Sequence, residues 1–249
     1  MADNSKPLTD RIALVTGASR GIGAALALAL ARAGAHVVAV ARTVGGLEEP
    51  DDAVKAAGGT ATLVPLDVKD SDGIARLALA LNERYGRLDV MVGNAGVLGV
   101  PTPLGHIEPK DWDNIFAVNV TANWQLIRTM DPLLKRAVAG RAVFITSAVA
   151  YLGRAYFGAY AASKAALDAL IRAYAAECAT TKIRANLFSP GPTRTRMYAA
   201  AFPGVDPMTL PTPEQIAEAI VPLCLPECAE SGKIYDFRAG KFVDFHQPS

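Results

Sequence analysis

The sequence predicts an α/β protein: a single doubly wound domain over residues 1–249, with about seven parallel strands and helices on both faces. Three observations carry that expectation. Short apolar runs alternate with helical patterns along the chain, as in a parallel sheet covered on both sides. A glycine-rich turn follows the first apolar run and leads straight into a helical one. No linker, low-complexity tract or repeat divides the 249 residues, a length that by itself allows one large domain or two small ones.

In chain order, Ile12 to Val15 reads as a buried strand, followed at once by Thr16-Gly17-Ala18-Ser19-Arg20-Gly21-Ile22-Gly23. A helix rich in alanine and leucine runs to Ala33, and Gly34 is placed to cap it. His36 to Val40 is the second strand. Pro50 interrupts the helix expected next, which predicts that this helix starts late. Leu63 to Leu66 forms a third strand ending at Asp67, and Leu88 to Val92 a fourth ending in Gly93-Asn94-Ala95-Gly96. Ala142 to Thr146, Arg184 to Phe188 and a short Lys233 to Phe237 complete the sheet. Long helical patterns cover Pro109 to Arg136 and Tyr156 to Ala179. The last helix opens on Thr212-Pro213-Glu214-Gln215, where Thr212 can cap, Pro213 suits the first helical position and Gln215 closes a capping box.

Composition removes several classes. With 25 basic against 24 acidic residues and no basic patch, nothing points to a nucleic acid partner. Cys178, Cys224 and Cys228 are too few and wrongly spaced for a disulfide framework or a zinc knuckle, so they are expected as buried free thiols with no metal site. The first ten residues lack the apolar core of a signal peptide. The apolar run Gly21 to Ala41 is broken by Arg32, Gly34 and His36 and is no membrane span. A soluble, cytoplasmic protein is the expectation.

The chemistry gathers between Ser147 and Lys164. Tyr160 and Lys164 stand four apart, on one face of a helix and one turn from each other. A free phenol titrates near ~10 and is a poor acid or base at neutral pH, whereas a fixed ammonium beside it favours the phenolate. Ser147 ends an apolar strand, so its hydroxyl emerges where open α/β sheets place their ligands. A hydroxyl donor, a tunable phenol and a cation are the parts for moving a proton on or off a carbonyl oxygen. Taken alone, Tyr-x-x-x-Lys also fits an ordinary amphipathic helix.

The glycine turn suits a phosphate. Gly17, Gly21 and Gly23 precede a helix whose first N–H groups and positive dipole end attract an anion, and a Cβ there would hold a pyrophosphate away. The tip of the second strand distinguishes between nicotinamide cofactors. A diol ribose is usually read by an acid at that point, but Ala41 and Arg42 stand there instead. Arg42, with Arg20 opposite, would accommodate a 2′-phosphate, which favours NADP(H) over NAD(H); the two could also be solvated surface arginines.

Together, Thr16 to Gly23, Asn94-Ala95-Gly96, Asn119, Ser147, Tyr160-x-x-x-Lys164 and Pro190-Gly191 follow the order and spacing of the short-chain dehydrogenase/reductase family. The chain resembles that family over nearly its whole length, in the manner of its 3-oxoacyl-carrier-protein-reductase-like members. The resemblance implies a Rossmann-type domain and an oxidoreductase that transfers a hydride between NADP(H) and a carbonyl or secondary alcohol. Tyr160 would be the general acid in reduction and the base in oxidation, and Lys164 would lower its pKa and bond the nicotinamide ribose. Ser147 would donate to the substrate oxygen, and Asn119 would hold a water linking Lys164 to solvent. Gly17, Ser19, Arg20, Gly21, Ile22, Gly23 and Arg42 would bind cofactor. Asp67 and Val68 would meet the adenine, and Asn94, Ala95 and Gly96 would pass under the ribose. Pro190 and Gly191 lead into Thr193 and Thr195, which would hold the carboxamide through a backbone group and a hydroxyl respectively.

Departures from the family pattern are Gly93 in place of a second Asn, Thr121 in place of a Gly, and a C-terminal Lys233 to Phe245 segment unlike the usual ending. The pocket is expected from Val97, Leu98, Ala148, Val149, Tyr156 and Pro192, with Arg194 to Leu210 folding over it. That mostly apolar lining favours a hydrophobic substrate. Arg194 and Arg196 either greet an acidic group or face solvent and the cofactor phosphates. Two other functions stay open: a nucleotide-binding regulator or scaffold, and a lyase or epimerase that retains its nicotinamide. The family's habit implies a homodimer or homotetramer through the fourth and fifth helices, and the alanine face at Ala161, Ala162, Ala165 and Ala166 would permit close helix approach.

Overall fold

A computed structural model describes residues 6–245; part of the N-terminal decapeptide discussed above lies outside them. The elements run β1 (Ile12–Thr16), α1 (Gly21–Arg32), β2 (His36–Ala41), α2 (Gly45–Ala56), β3 (Thr60–Pro65), α3 (Ser71–Tyr85) and β4 (Val90–Gly93). Then come α4 (Pro109–Phe116), α5 (Ala122–Arg136), β5 (Arg141–Ile145), α6 (Gly158–Glu177), β6 (Arg184–Ser189), α7 (Arg196–Ala201), α8 (Pro213–Cys224), β7 (Ile234–Asp236) and β8 (Lys241–Val243). They form one sheet in the order β3-β2-β1-β4-β5-β6-β7-β8. β1 to β7 are parallel, and β8 returns antiparallel beside β7.

Both faces of the central strands β1, β2, β4, β5 and β6 are buried, which is why they read as continuous apolar runs rather than as an alternation. Ile12 and Leu14 face one core with Leu126, Met130, Phe144 and Leu167. Ala13 and Val15, one step out of phase, face the other with Leu26, Leu30, Val143 and Ile220. The strand order reverses between β1 and β4, so the loops leaving those two strands open a crevice at the carboxyl end of the sheet.

Three local expectations change. α2 starts at Gly45 and carries Pro50 inside it, buried. At the sixth position of the helix the proline gives up the bond to the Gly46 carbonyl and crowds it, while its fixed φ still suits the helix. The long fourth helix is α4 and α5 joined through a π turn, Ala117–Thr121. The C-terminal segment is a hairpin: Gly240 turns with φ 65°, and Asp236 Oδ1 accepts from the Arg238 and Ala239 N–H groups. The capping box of α8 is present, with Thr212 and Gln215 exchanging side-chain and backbone bonds of 2.8 and 3.3 Å.

Candidate active site

The floor of the crevice is built by Thr16 and Asn94. Thr16 ends β1 with its side chain buried, where its Oγ1 donates to the Val92 carbonyl (3.2 Å) and accepts from the Asn94 and Ala95 N–H groups. Asn94 Nδ2 donates back to the Thr16 and Gly17 carbonyls at 2.8 and 3.3 Å. This ties the glycine turn to the end of β4. Gly17 and Gly21 both have left-handed backbones, φ 67° and 57°. A Cβ on Gly23 would lie 2.3 Å from the Gly17 carbonyl oxygen, so this glycine is required by the fit of α1 against the turn. Position 21 meets only Thr195 Cγ2, at 3.6 Å, which brings the loop after β6 across to the glycine turn.

α1 begins with no side-chain cap and no acid in its first turn. Its leading N–H groups thus lack a side-chain partner, and glycines keep the approach to them free of Cβ atoms. Arg20 and Arg42 are exposed and make no ion pair among the described residues, with buried Ala41 closing β2 next to Arg42. Uncapped amides and two free guanidiniums fit a dinucleotide carrying an additional phosphate. Ser19 lies under α2, its Cβ 3.1 Å from where a Cβ on Gly46 would stand, and Ile22 is partly buried on the α1 side of the core. Asp67 accepts from the Lys69 N–H at 3.0 Å and so also stiffens its own turn. Val68 is buried with Val118 and Ala122 against Ala95 and Val97.

Around the catalytic candidates, β5 and α6 are joined twice. Lys164 is 4% exposed, and its Nζ donates to the Ile145 carbonyl at 2.8 Å. One turn on, Asp168 accepts from the Thr146 hydroxyl. Ser147 follows in extended backbone, its Oγ accepting weakly from the Val149 N–H at 3.5 Å and also bearing on the Tyr160 phenol. The structure therefore brings Ser147, Tyr160 and Lys164 together, with Lys164 Nζ 5.7 Å from the centre of the Tyr160 ring.

The electrostatics differ from expectation. Burial pushes the Tyr160 phenol up to about 12, and the Ser147 hydroxyl offsets this only in part. Burial also pushes Lys164 down to about 8, against the pull of Asp168. The Lys164 ammonium is directed to the Ile145 carbonyl and is itself short of solvent.

Asn119 is held in place by partners from two segments. It sits in the π turn, fully buried, and its amide bonds the Val97 N–H and carbonyl (both 2.9 Å) and Ser163 Oγ (3.0 Å). Both amide protons are spent on protein acceptors. The side chain braces the loop after Asn94-Ala95-Gly96 against α6, while a Cβ on Gly96 would fall 3.4 Å from Asn119 Oδ1 and 3.7 Å from Lys164 Nζ.

Beyond β6, Gly191 turns with φ 66° just after Pro190, and the Thr193 hydroxyl donates back to the Gly191 carbonyl. The Thr195 hydroxyl caps α7, accepting from the Tyr198 N–H at 3.2 Å and donating to the Thr193 carbonyl at 3.3 Å, so a ligand would compete with that cap. Arg194 is bound, at the surface, to carbonyls of its own segment. Its guanidinium donates to the Pro207, Met208 and Leu210 carbonyls and holds the covering segment together. Arg196 stays exposed. Phe202 of the same segment stacks on Phe157 at 5.6 Å, with the Arg154 guanidinium 4.3 Å from the Phe202 ring centre.

A cavity of about 240 Å³ reaches Tyr160. Of the expected lining, Leu98 and Tyr156 take part; Val97, Ala148, Val149 and Pro192 do not. The remaining wall includes Val100, Ile107, Ile115 and Phe157, with His106, Glu108 and Asp111 giving one side a polar edge. Tyr156 holds a left-handed backbone, φ 71°, and its carbonyl accepts from the Thr102 N–H, which sets its exposed ring at the cavity.

Thr16, Asn123, Thr146 and Asp168 were not singled out in the sequence. A threonine closing a buried strand, and an acid four residues beyond Lys164 on the same helical stripe, are signals that were available. Asn123 gave none. Among the described residues no group of three or more metal-binding side chains gathers, and no helix is long and apolar enough to cross a membrane. All three cysteines are free, with Cys178 and Cys224 buried and Cys228 half-buried.

Comparison with known proteins places this geometry. The family description "short chain dehydrogenase" matches residues 11–205. The oxidoreductase YciK of Escherichia coli K12, itself uncharacterised, is 39% identical over 212 residues, 84% of either chain. The structure of the short chain dehydrogenase from Shigella flexneri superposes with a TM-score of 0.88 at 35% identity, covering 98% of this chain and 97% of that one. A metagenomic short-chain oxidoreductase solved with NADP superposes at 0.77 and 36% identity, over 88% of this chain and 92% of that one.

Proposed function

The chain belongs to the short-chain dehydrogenase/reductase family and is an oxidoreductase of that family, and from that premise we propose that it moves a hydride between NADP(H) and a carbonyl compound or secondary alcohol, with Tyr160 giving or taking the proton. The observation that carries the assignment is the convergence of Ser147, Tyr160 and Lys164 at the end of β5, beside a cavity that reaches the phenol. NADP(H) is supported over NAD(H) by Arg20 and Arg42, both exposed and without an ion pair among the described residues, and by the NADP held by the metagenomic relative. When bound, the nicotinamide supplies or accepts the hydride. Tyr160, protonated throughout the neutral range, stands ready as an acid, which favours carbonyl reduction. The Ser147 hydroxyl donates to the substrate oxygen as charge develops there. A non-catalytic scaffold is disfavoured, because a lysine buried among these groups has a cost that binding alone does not require.

We take the substrate to be a ketone with an apolar body, matching Leu98, Val100, Ile115 and Phe157, and a neutral or cationic end toward Glu108 and Asp111. With Arg194 committed to backbone carbonyls, a carboxylate has little to meet in the cavity. A cytoplasmic setting accords with three free cysteines. Assembly as a dimer or tetramer through α5 and α6 is supported by exposed Trp124 on α5 and by exposed Ala165 and Ala169 on α6.

The test is NADPH oxidation against a panel of neutral, cationic and carboxylated ketones, with Tyr160→Phe alongside. Loss of the general acid should lower turnover about 10²–10⁴-fold while NADPH still binds. Equal turnover in the variant would reject Tyr160 as the proton donor.

A further inference from the structure

Asp168 is buried at 5% exposure and takes no part in the reaction as described so far. Its Oδ1 accepts from the Thr146 hydroxyl, but its Oδ2 is buried with no hydrogen-bond partner. An orphaned carboxylate oxygen is costly unless something offsets its charge. Lys164 stands one turn back along the same helical stripe, without a direct ion pair to Asp168 but close enough for its charge to act on the carboxylate. The buried Lys164 ammonium donates to the Ile145 carbonyl.

We propose that Asp168 is the counterion that keeps the Lys164 ammonium charged in its buried seat, a positioning residue that acts on proton transfer at Tyr160 through Lys164. The proposal rests on the oxidoreductase reading given above. Burial lifts the Asp168 carboxyl to about 6, while the Thr146 hydroxyl, Lys164 and Arg172 hold it down. At neutral pH it is therefore largely ionised, and its charge supports the Lys164 proton. The other groups facing this pair are few. Arg172 lies one turn further along α6, Tyr151 approaches from the segment after β5, and Asp236 at the end of β7 acts on Tyr151 rather than on Lys164. From the π turn comes only the neutral Asn119, and Tyr160 faces Lys164 from within α6.

An alternative role for Asp168 is mechanical, a tie from α6 to Thr146. Asp168→Asn separates the two, because it retains an acceptor for the Thr146 hydroxyl and removes the charge. The measurement is an NMR titration of Lys164 Nζ in protein labelled with 15N-lysine, the signal identified by its loss in Lys164→Met, without cofactor or substrate. In Asp168→Asn the Lys164 midpoint should fall by about one unit, a tenfold weaker hold on the proton, with Asp168→Glu returning toward the parent. The alkaline limb of the NADPH-dependent rate should move to lower pH by the same amount. An unchanged Lys164 midpoint in Asp168→Asn overturns the proposal. If that variant does not fold, the parent alone decides: the Lys164 signal must shift as Asp168 titrates near pH 6, and a flat trace there overturns the pairing. A shifted titration in a protein that reduces no carbonyl would reject the reaction and leave the pairing standing.

Discussion

At the scale of single residues, burial sets the acid–base behaviour of the site. It holds Tyr160 near 12 and Lys164 near 8, so at neutral pH the phenol is protonated and the ammonium charged. Raising the pH through about 8 removes the Lys164 proton first, long before the phenol ionises. The rate of carbonyl reduction should therefore hold level on the acid side and decline above about pH 8, read from initial rates of NADPH oxidation. A rate that stays level well above that point would mean that Lys164 does not govern the proton. Arg42 makes the second prediction at this scale. Arg42→Ala should raise the Kd for NADPH about 10- to 100-fold, the worth of a charge-assisted bond of ~1.5–3 kcal/mol. Its Kd for NADH should be unchanged by comparison, and equal losses for the two cofactors would remove the 2′-phosphate from the account.

Among the elements, the contact between β4 and α5 explains the departure at position 93. A Cβ on Gly93 would stand 2.3 Å from Asn123 Oδ1 and 2.4 Å from Phe144 Cδ1. Asn123, whose Nδ2 donates to the Asn119 carbonyl, thus fills from the helix the space that a strand side chain would need. Gly93→Asn should cost about 1–3 kcal/mol by overpacking and lower the melting temperature; a neutral outcome would show that Asn123 can swing aside. The π turn works with this contact, because the extra residue it accommodates sets Asn119 against Val97 and Ser163 rather than along the helix surface. Spacing in the sequence placed Asn119 at the site but not its partners. The turn depends on what packs around residues 117–121, and a helical period continues through it unchanged.

For the molecule as a whole, the parallel sheet presents its site-forming loops at the carboxyl end of the strands, and α5 and α6 expose Trp124, Ala165 and Ala169 among charged residues such as Arg128 and Arg172. Trp124 is 44% exposed, with the Arg128 guanidinium 5.7 Å from its ring centre. Light scattering at micromolar concentration should give a dimer or tetramer, and Ala165→Arg should shift it toward monomer. A monomeric parent would refute the assembly.

Much of this was legible in the residues themselves. Continuous apolar strands, the glycine turn, the Tyr160–Lys164 spacing and the capping box of α8 are local patterns, and local patterns survive folding because a buried parallel strand or a helix start imposes the same demands in any context. The sequence by itself therefore determined the doubly wound sheet, the glycine turn that follows β1 and the pairing of Tyr160 with Lys164 on one helix face, while the strand order that opens the crevice came from the structure. Tertiary structure alone decided which polar groups meet across the chain. Thr16 to Asn94, Asn119 to Val97, Thr146 to Asp168 and Arg194 to the carbonyls near Pro207 are pairings between segments that approach only after packing. It also decided the direction of the Tyr160 shift, because a pKa depends on how much water is left around the group, and residue spacing carries no measure of that.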